Sequence, residues 1–160
     1  MTGINFLFDC LPTDVVAQIE AVTPGEQQAI AAALCRLALT RTGLDDPLAV
    51  AGLRLLEAGT CGLRGGSFTS DLRKLSDRLH LEYFDAKDRQ DAGLVDEATV
   101  RKLRGRARLA DAICFGLEDE DPSVAAHDSI YDSTDYLTDD EIRACICQEL
   151  ARLRKLETGK

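Results

Sequence analysis

Twice in its first sixty residues the chain sets a capping side chain and a proline ahead of apolar residues spaced for a helix, then stops on glycine. The first case is Thr23-Pro24-Gly25-Glu26, followed by Ile30, Ala33, Leu34, Leu37 and Ala38, with Gly43 behind them. The second is Asp45-Asp46-Pro47, followed by Leu48, Ala51, Gly52, Leu55 and Leu56, with Gly59 behind them. A threonine hydroxyl that accepts from the third helical N–H, with a glutamate returning the bond, satisfies donors that every helix start leaves open. Proline at the first helical position sacrifices no bond, and glycine just past the last turn takes the left-handed conformation readily. A chain punctuated in this way folds as helices.

The same signals predict the remaining elements. Thr13 caps a short first helix carrying Val15, Val16 and Ile19. Ser67 to Ser70 offer caps for a fourth helix with Leu72, Leu75 and Leu79 aligned, expected to fade near Phe84, where Asp85 to Gly93 becomes polar and aperiodic. Val100, Leu103, Ala107, Ala110, Cys114 and Leu117 alternate steps of three and four. That is the seam of a central helix, which Ile113 and Phe115 are expected to widen. Asp121-Pro122 starts a sixth helix with Val124, Ala125, Ile130 and Tyr131, and Thr138-Asp139-Asp140-Glu141 is a second capping box ahead of Ile142, Cys145, Ile146, Leu150 and Leu153. No stretch alternates apolar and polar residues for long enough to make a strand. The expected fold is all-α, a compact single-domain bundle of six or seven helices over residues 1–160. Its one flexible loop is expected at 59–67, because four of the eight residues from Gly59 to Gly66 are glycine. Asp45-Asp46-Pro47 and Glu120-Asp121-Pro122 resemble turns of HEAT-type repeats, yet no repeat in register joins them, and Asp-Pro as a helix start accounts for both.

Hydrophobic residues make up 45% of the chain, aromatics only 5%, and tryptophan is absent. The core is therefore built from Leu, Ile, Val and Ala, a palette that suits helices packed closely on helices. No segment approaches the ~18 apolar residues of a membrane span. The apolar stretch Ile4 to Phe8 is too short for a signal peptide and lacks a positive flank, so the expected compartment is the cytoplasm. The six cysteines, Cys10, Cys35, Cys61, Cys114, Cys145 and Cys147, are accordingly read as reduced, small apolar residues rather than disulfides.

Charge is blocked rather than mixed. Residues 118–141 hold ten carboxylates and neither Lys nor Arg, within a chain of net charge −9. Just upstream, Arg101, Lys102, Arg104, Arg106 and Arg108 form a basic run. Carboxylates at 118–121 and 139–141 stand where helix N-termini favour negative charge. Asp128, Asp132 and Asp135, spaced four and three apart, have no such reason and make an acidic stripe. Either the basic run offsets it within the molecule, or a partner does. The partner reading assigns Asp128, Asp132, Asp135, Asp139 and Asp140 to a contact surface for a protein with a basic face. The acidity argues against direct binding of nucleic acid or of anionic membranes.

Catalytic and metal signatures do not emerge. Cys145 and Cys147 point about 200° apart on a helix, no C-x-x-C pair has a second half, and the acidic segment lacks the order of a calcium loop. Asp77-Arg78-Leu79-His80 is a single copy of a motif that di-iron helices need twice. Gly62-Leu63-Arg64-Gly65-Gly66-Ser67 lacks the lysine of a phosphate loop. No cofactor is expected. The leading expectation is a non-enzymatic acidic helical protein that binds and inhibits or recruits a macromolecule. In size, acidity and helicity it is similar to bacterial immunity proteins and phage-encoded inhibitors, a likeness in bulk properties and not in motif. Three other readings predict a nucleic-acid mimic displaced by DNA, an oligomeric scaffold, or a ligand-binding or enzymatic pocket near the 59–67 loop.

Overall fold

The computed structural model describes residues 9–159, and the stretch from Ile4 to Phe8 lies outside them. Among the described residues the elements are α1 (Thr13–Glu20), α2 (Pro24–Thr42), α3 (Pro47–Glu57), α4 (Ser67–Asp91), α5 (Glu97–Glu118), α6 (Pro122–Ser133), a 3₁₀ turn (Thr134–Tyr136) and α7 (Asp139–Thr158). No strand occurs among them. The fold is an all-α bundle.

Four of the caps form as the sequence spells them. By contrast, α1 starts from Pro12 and α4 from Gly66 with no side-chain cap bond, so Thr13 and Ser67 to Ser70 lie within or beyond the first helical positions and do not cap their helices. Thr23 accepts from the Glu26 N–H, and α2 ends on Gly43 at φ +66°, in the left-handed region where a Cβ is penalised. Asp46 accepts from the Leu48 N–H with Pro47 behind it, and Asp121 accepts from Ser123 and Val124 N–H ahead of α6. Thr138 and Glu141 complete both bonds of the capping box that opens α7.

Two helices sit at the centre. α5 packs on α2, α3, α4 and α6, while α2 packs on α3, α5, α6 and α7. Ile30, Leu34 and Ala38 of α2 meet Ala107, Ala110, Ile113 and Leu117 of α5 in one contiguous apolar core. Glycine sets how closely the helices cross. A Cβ on Gly52 of α3 would stand 2.6 Å from the Ile113 methyl, and one on Gly116 of α5 would stand 2.8 Å from Leu56.

Two further features differ from the sequence-based expectation. α4 does not fade at Phe84 but runs to Asp91. Its second half keeps a narrow inner stripe, Leu79, Tyr83, Ala86 and Gln90, each buried or half-buried. A polar surround hides that stripe because only α5 covers this end of α4. Phe115 does not widen the α5 seam: at 37% exposure it faces outward, two positions along the helix from buried Ile113 and thus about 200° around it.

The glycine-rich loop is anchored by its backbone. Gly62, Leu63 and Arg64 donate N–H groups to the carbonyls of Asp119, Leu117 and Glu118, at 2.8, 2.7 and 3.3 Å. The last carbonyls of α5 have no partner within their own helix, and this loop supplies them. Gly62 reaches that position at φ +75°, which explains a glycine there.

Candidate functional site

The five carboxylates of the expected contact surface fall in two places. Asp128, Asp132 and Asp135 lie along α6 and the turn after it, where α5 brings Arg104 and Arg108 against the last two. Arg108 Nη2 is 3.0 Å from Asp132 Oδ1, and Arg104 Nη2 is 3.2 Å from Asp135 Oδ1. The Arg108 guanidinium also lies over the Tyr131 ring, 5.3 Å from its centroid. Asp132 is only 7% exposed, and Asp128 is half-buried. Asp139 and Asp140 stand apart on the first turn of α7, open to solvent, with Arg143 reaching Asp140 at 3.6 Å.

Three of the other five carboxylates of the acidic block also find cations. Glu118 is held by Arg73, Glu141 by Arg41, and Asp119 lies 3.9 Å from Arg64. The basic run is largely engaged as well, since Arg106 donates its Nε to the Thr42 carbonyl at 2.7 Å. Arg101 and Lys102 enter no ion pair among the described residues. Much of what reads as a charged surface in the sequence thus joins α5 to α6, α4 to α5, and α2 to α7.

Asp132 carries a measurable consequence. Burial raises its carboxyl from 3.8 to about 6; Arg108 opposes the rise, while Asp111, Asp128 and Asp135 add to it. The folded state then holds a proton more tightly than the unfolded chain between those values. Stability from this group falls as pH rises from about 4 to 6, and the ionised form persists above that. A rise of this size corresponds to roughly 3 kcal/mol. Asp132→Asn keeps an oxygen for Arg108 and removes the ionisation. Urea unfolding between pH 4.5 and 7.5 is expected to show wild-type stability declining across this window. The Asn variant should decline less, because only Asp128 of the buried acidic stripe then remains raised, and should be at least as stable at pH 7.5. A parallel decline in both proteins refutes the assignment. Asp14, Asp96 and Glu141, whose carboxyls are lowered by hydrogen bonds and neighbouring cations, withdraw stability only at more acid pH.

The main concave feature lies elsewhere, between α2 and α7. Arg41 meets Glu141 at one end, and Ala29 and Arg152 share the other, so the two helices run antiparallel. On α7 the positions 141, 144, 145, 148, 149 and 152 form a single helical stripe facing the groove. On α2 the positions 29, 33, 36, 37, 40 and 41 do the same. The main section has a volume of about 580 Å³, and an adjoining section of about 440 Å³ shares Ala33, Arg36, Glu149 and Arg152 with it. Its floor is apolar and mostly small: Ala33, Leu37, Ala144 and Cys145. Each rim arginine is held by a carboxylate: Arg36 by Glu57, Arg41 by Glu141 and Arg152 by Glu149. The rim is therefore close to neutral, and the floor dominates what the groove can hold.

The sequence carried a signal for this groove in α2. From Ala29 to Leu39 that helix is apolar on every side except at Arg36 and carries no polar face. A helix apolar all round calls for cover all round. α3, α5, α6 and α7 cover most of α2, while Ala29, Ala33 and Leu37 remain half-buried.

Other chemistry-bearing groups have structural partners. His80 Nε2 is 2.7 Å from Asp111 Oδ2, and Ser76 donates to the other oxygen of the same carboxylate. His127 is buried against the Ser123 carbonyl. All six cysteines are free; Cys35 and Cys114 are buried, and Cys10 and Cys147 are exposed. Burial pushes the thiols of Cys35 and Cys114 up to about 12 and that of Cys145 to about 11, so none of the three is a thiolate at neutral pH. No group of three or more His, Cys, Asp or Glu among the described residues is arranged to hold a metal ion, and no described helix is long and apolar enough to cross a membrane. No family model, curated protein or solved structure matches the chain.

Proposed function

We propose that this chain is a non-catalytic binding protein that receives an apolar helical segment of a protein partner in the α2–α7 groove, and thereby blocks or recruits that partner. The observation that carries this reading is the half-buried apolar face of α2, Ala29, Ala33 and Leu37, lying along a continuous groove. From Ala29 to Arg41 the groove follows α2 for ~18 Å, room for about three turns of a partner helix. Laying the apolar side of an amphipathic helix into such a channel is a common mode of recognition. Small side chains on the floor let a helix approach closely, and the charge-paired rim leaves little isolated charge to desolvate. Asp139 and Asp140, beside Glu141 at one end, would steer a partner with a basic surface, which retains two of the five acidic residues in a contact role.

Selection of helical peptides from a displayed library tests the reading. Binders are expected to carry apolar residues at i, i+3 or i+4, and i+7. They are expected to weaken at least tenfold against Ala33→Trp, whose ring fills the groove, in a variant that melts as the parent does. Peptides that bind Ala33→Trp as well as the parent, or a selection that enriches none, would sink the proposal.

A further inference from the structure

The outer face of α4 carries the most exposed apolar pair on any described helix. Leu81 is 70% exposed and Phe84 is 56% exposed. They stand one turn apart on the same stripe, bracketed at one further turn on each side by Asp77 and Asp88. Neither aspartate enters an ion pair among the described residues. An exposed apolar side chain needs no explanation when it is loose and solitary. Phe84 is neither. Its ring lies 5.1 Å from that of Tyr83 and 6.3 Å from that of His80. His80 is itself fixed on Asp111, which Ser76 also holds. A chain of contacts through Ser76, Asp111 and His80 therefore keeps an exposed aromatic in place, as a binding anchor must be if little side-chain entropy is to be lost on contact.

We propose that this face is a second docking surface, for a protein that offers an apolar recess between two cationic side chains ~16 Å apart, the rise from Asp77 to Asp88 along the helix. Charge decides against a second copy of the chain as the occupant. In an antiparallel pairing centred on Leu81 and Phe84, Asp77 would face Asp88 of the other copy. In a parallel pairing each aspartate would face itself. Like charges so placed repel, whereas a partner with lysine or arginine at both ends pairs both aspartates. The surface shares no residue and no helix with the α2–α7 groove, so it stands or falls separately from the function proposed above.

The Asp-Leu-Phe-Asp spacing of four, three and four is the same read in either direction, which simplifies the probe. An 18-residue helical peptide with Lys at i and i+11 and Leu at i+4 and i+7 is titrated into isotope-labelled protein, beside a twin with Glu in place of both lysines. Amide shifts confined to residues 77–88 are expected with the lysine peptide, at least tenfold tighter than with its twin and weakening with salt. In Asp77→Lys/Asp88→Lys the preference should reverse, and in Leu81→Ser/Phe84→Ser both peptides should lose binding. Equal affinity for the two peptides, shifts outside α4 and its neighbours on α5, or binding that survives the serine variant would overturn the proposal. So would a dimer by sedimentation that depends on Leu81 and Phe84, or insertion of the same face into phosphatidylcholine vesicles.

Discussion

Truncating Ile113 to alanine is expected to lower stability by about 4 kcal/mol, near the upper part of the range for deleting a fully buried aliphatic side chain. Ile113 is fully buried in the C-terminal half of α5, where α3 crosses it. The crossing is as close as it is because α3 offers Gly52 there: a Cβ would meet the Ile113 methyl at 2.6 Å. Gly52→Ala should accordingly destabilise by roughly 1–2 kcal/mol through overpacking, even though alanine is about 1 kcal/mol better than glycine within a helix. The two sites share one volume. The double variant is therefore expected to cost less than the sum of the two single variants by more than about 0.5 kcal/mol. Urea unfolding of the four proteins measures this directly. Strict additivity would mean that the two helices can move apart freely, and that Gly52 does not set the spacing.

Removing Arg73 is expected to cost about 3 kcal/mol at neutral pH, although its own side chain is largely solvent-facing. Its partner is what matters. Glu118 is 2% exposed, and its two oxygens accept from Arg73 Nε and Nη2, each at 2.7 Å. The Cys114 thiol adds a weaker bond at 3.1 Å. Arg73→Ala leaves a buried carboxylate with that thiol as its remaining side-chain donor. Arg73→Lys should recover only part of the loss, since an ammonium does not reproduce the two-pronged geometry. Replacing both partners, Arg73→Ala with Glu118→Leu, should recover most of it. The Glu118 carbonyl also accepts from Arg64, so amide exchange at Leu63 and Arg64 is expected to quicken in Arg73→Ala. If the single and double variants are equally unstable, the pair contributes packing rather than charge compensation.

The helix starts were legible because their chemistry is local. Thr23 and Glu26, Asp46 and Leu48, Thr138 and Glu141 are two or three residues apart, and no distant residue is needed to complete a cap. The a/d seam of α5 was legible for a related reason: a 3.6-residue period turns sequence spacing into a face. The same logic misplaced Phe115, whose hydrophobicity suggested the core while its angular position excluded it. The end of α4 was lost because a two-helix hairpin buries too narrow a stripe to stand out. Tyr83, Ala86 and Gln90 do not form an apolar run that composition reveals.

Charge was legible as a block and not as pairs. Arg104 with Asp135, Arg73 with Glu118 and Arg41 with Glu141 are separated by 31, 45 and 100 residues. The candidate site divides in the same way. That α2 was apolar on nearly every side could be read from Ala29 to Leu39, but which side would lack a neighbour depended on where α7 came to rest. Sequence by itself determined the helices, their caps and their inward faces, because these follow from interactions within one or two turns. Which arginine meets which carboxylate, which alanines line a groove, and which phenylalanine stands exposed were decided only by tertiary structure. Those outcomes depend on the distance and angle at which helices cross, and glycines such as Gly52 and Gly116 set these by letting backbones approach where any Cβ would hold them apart.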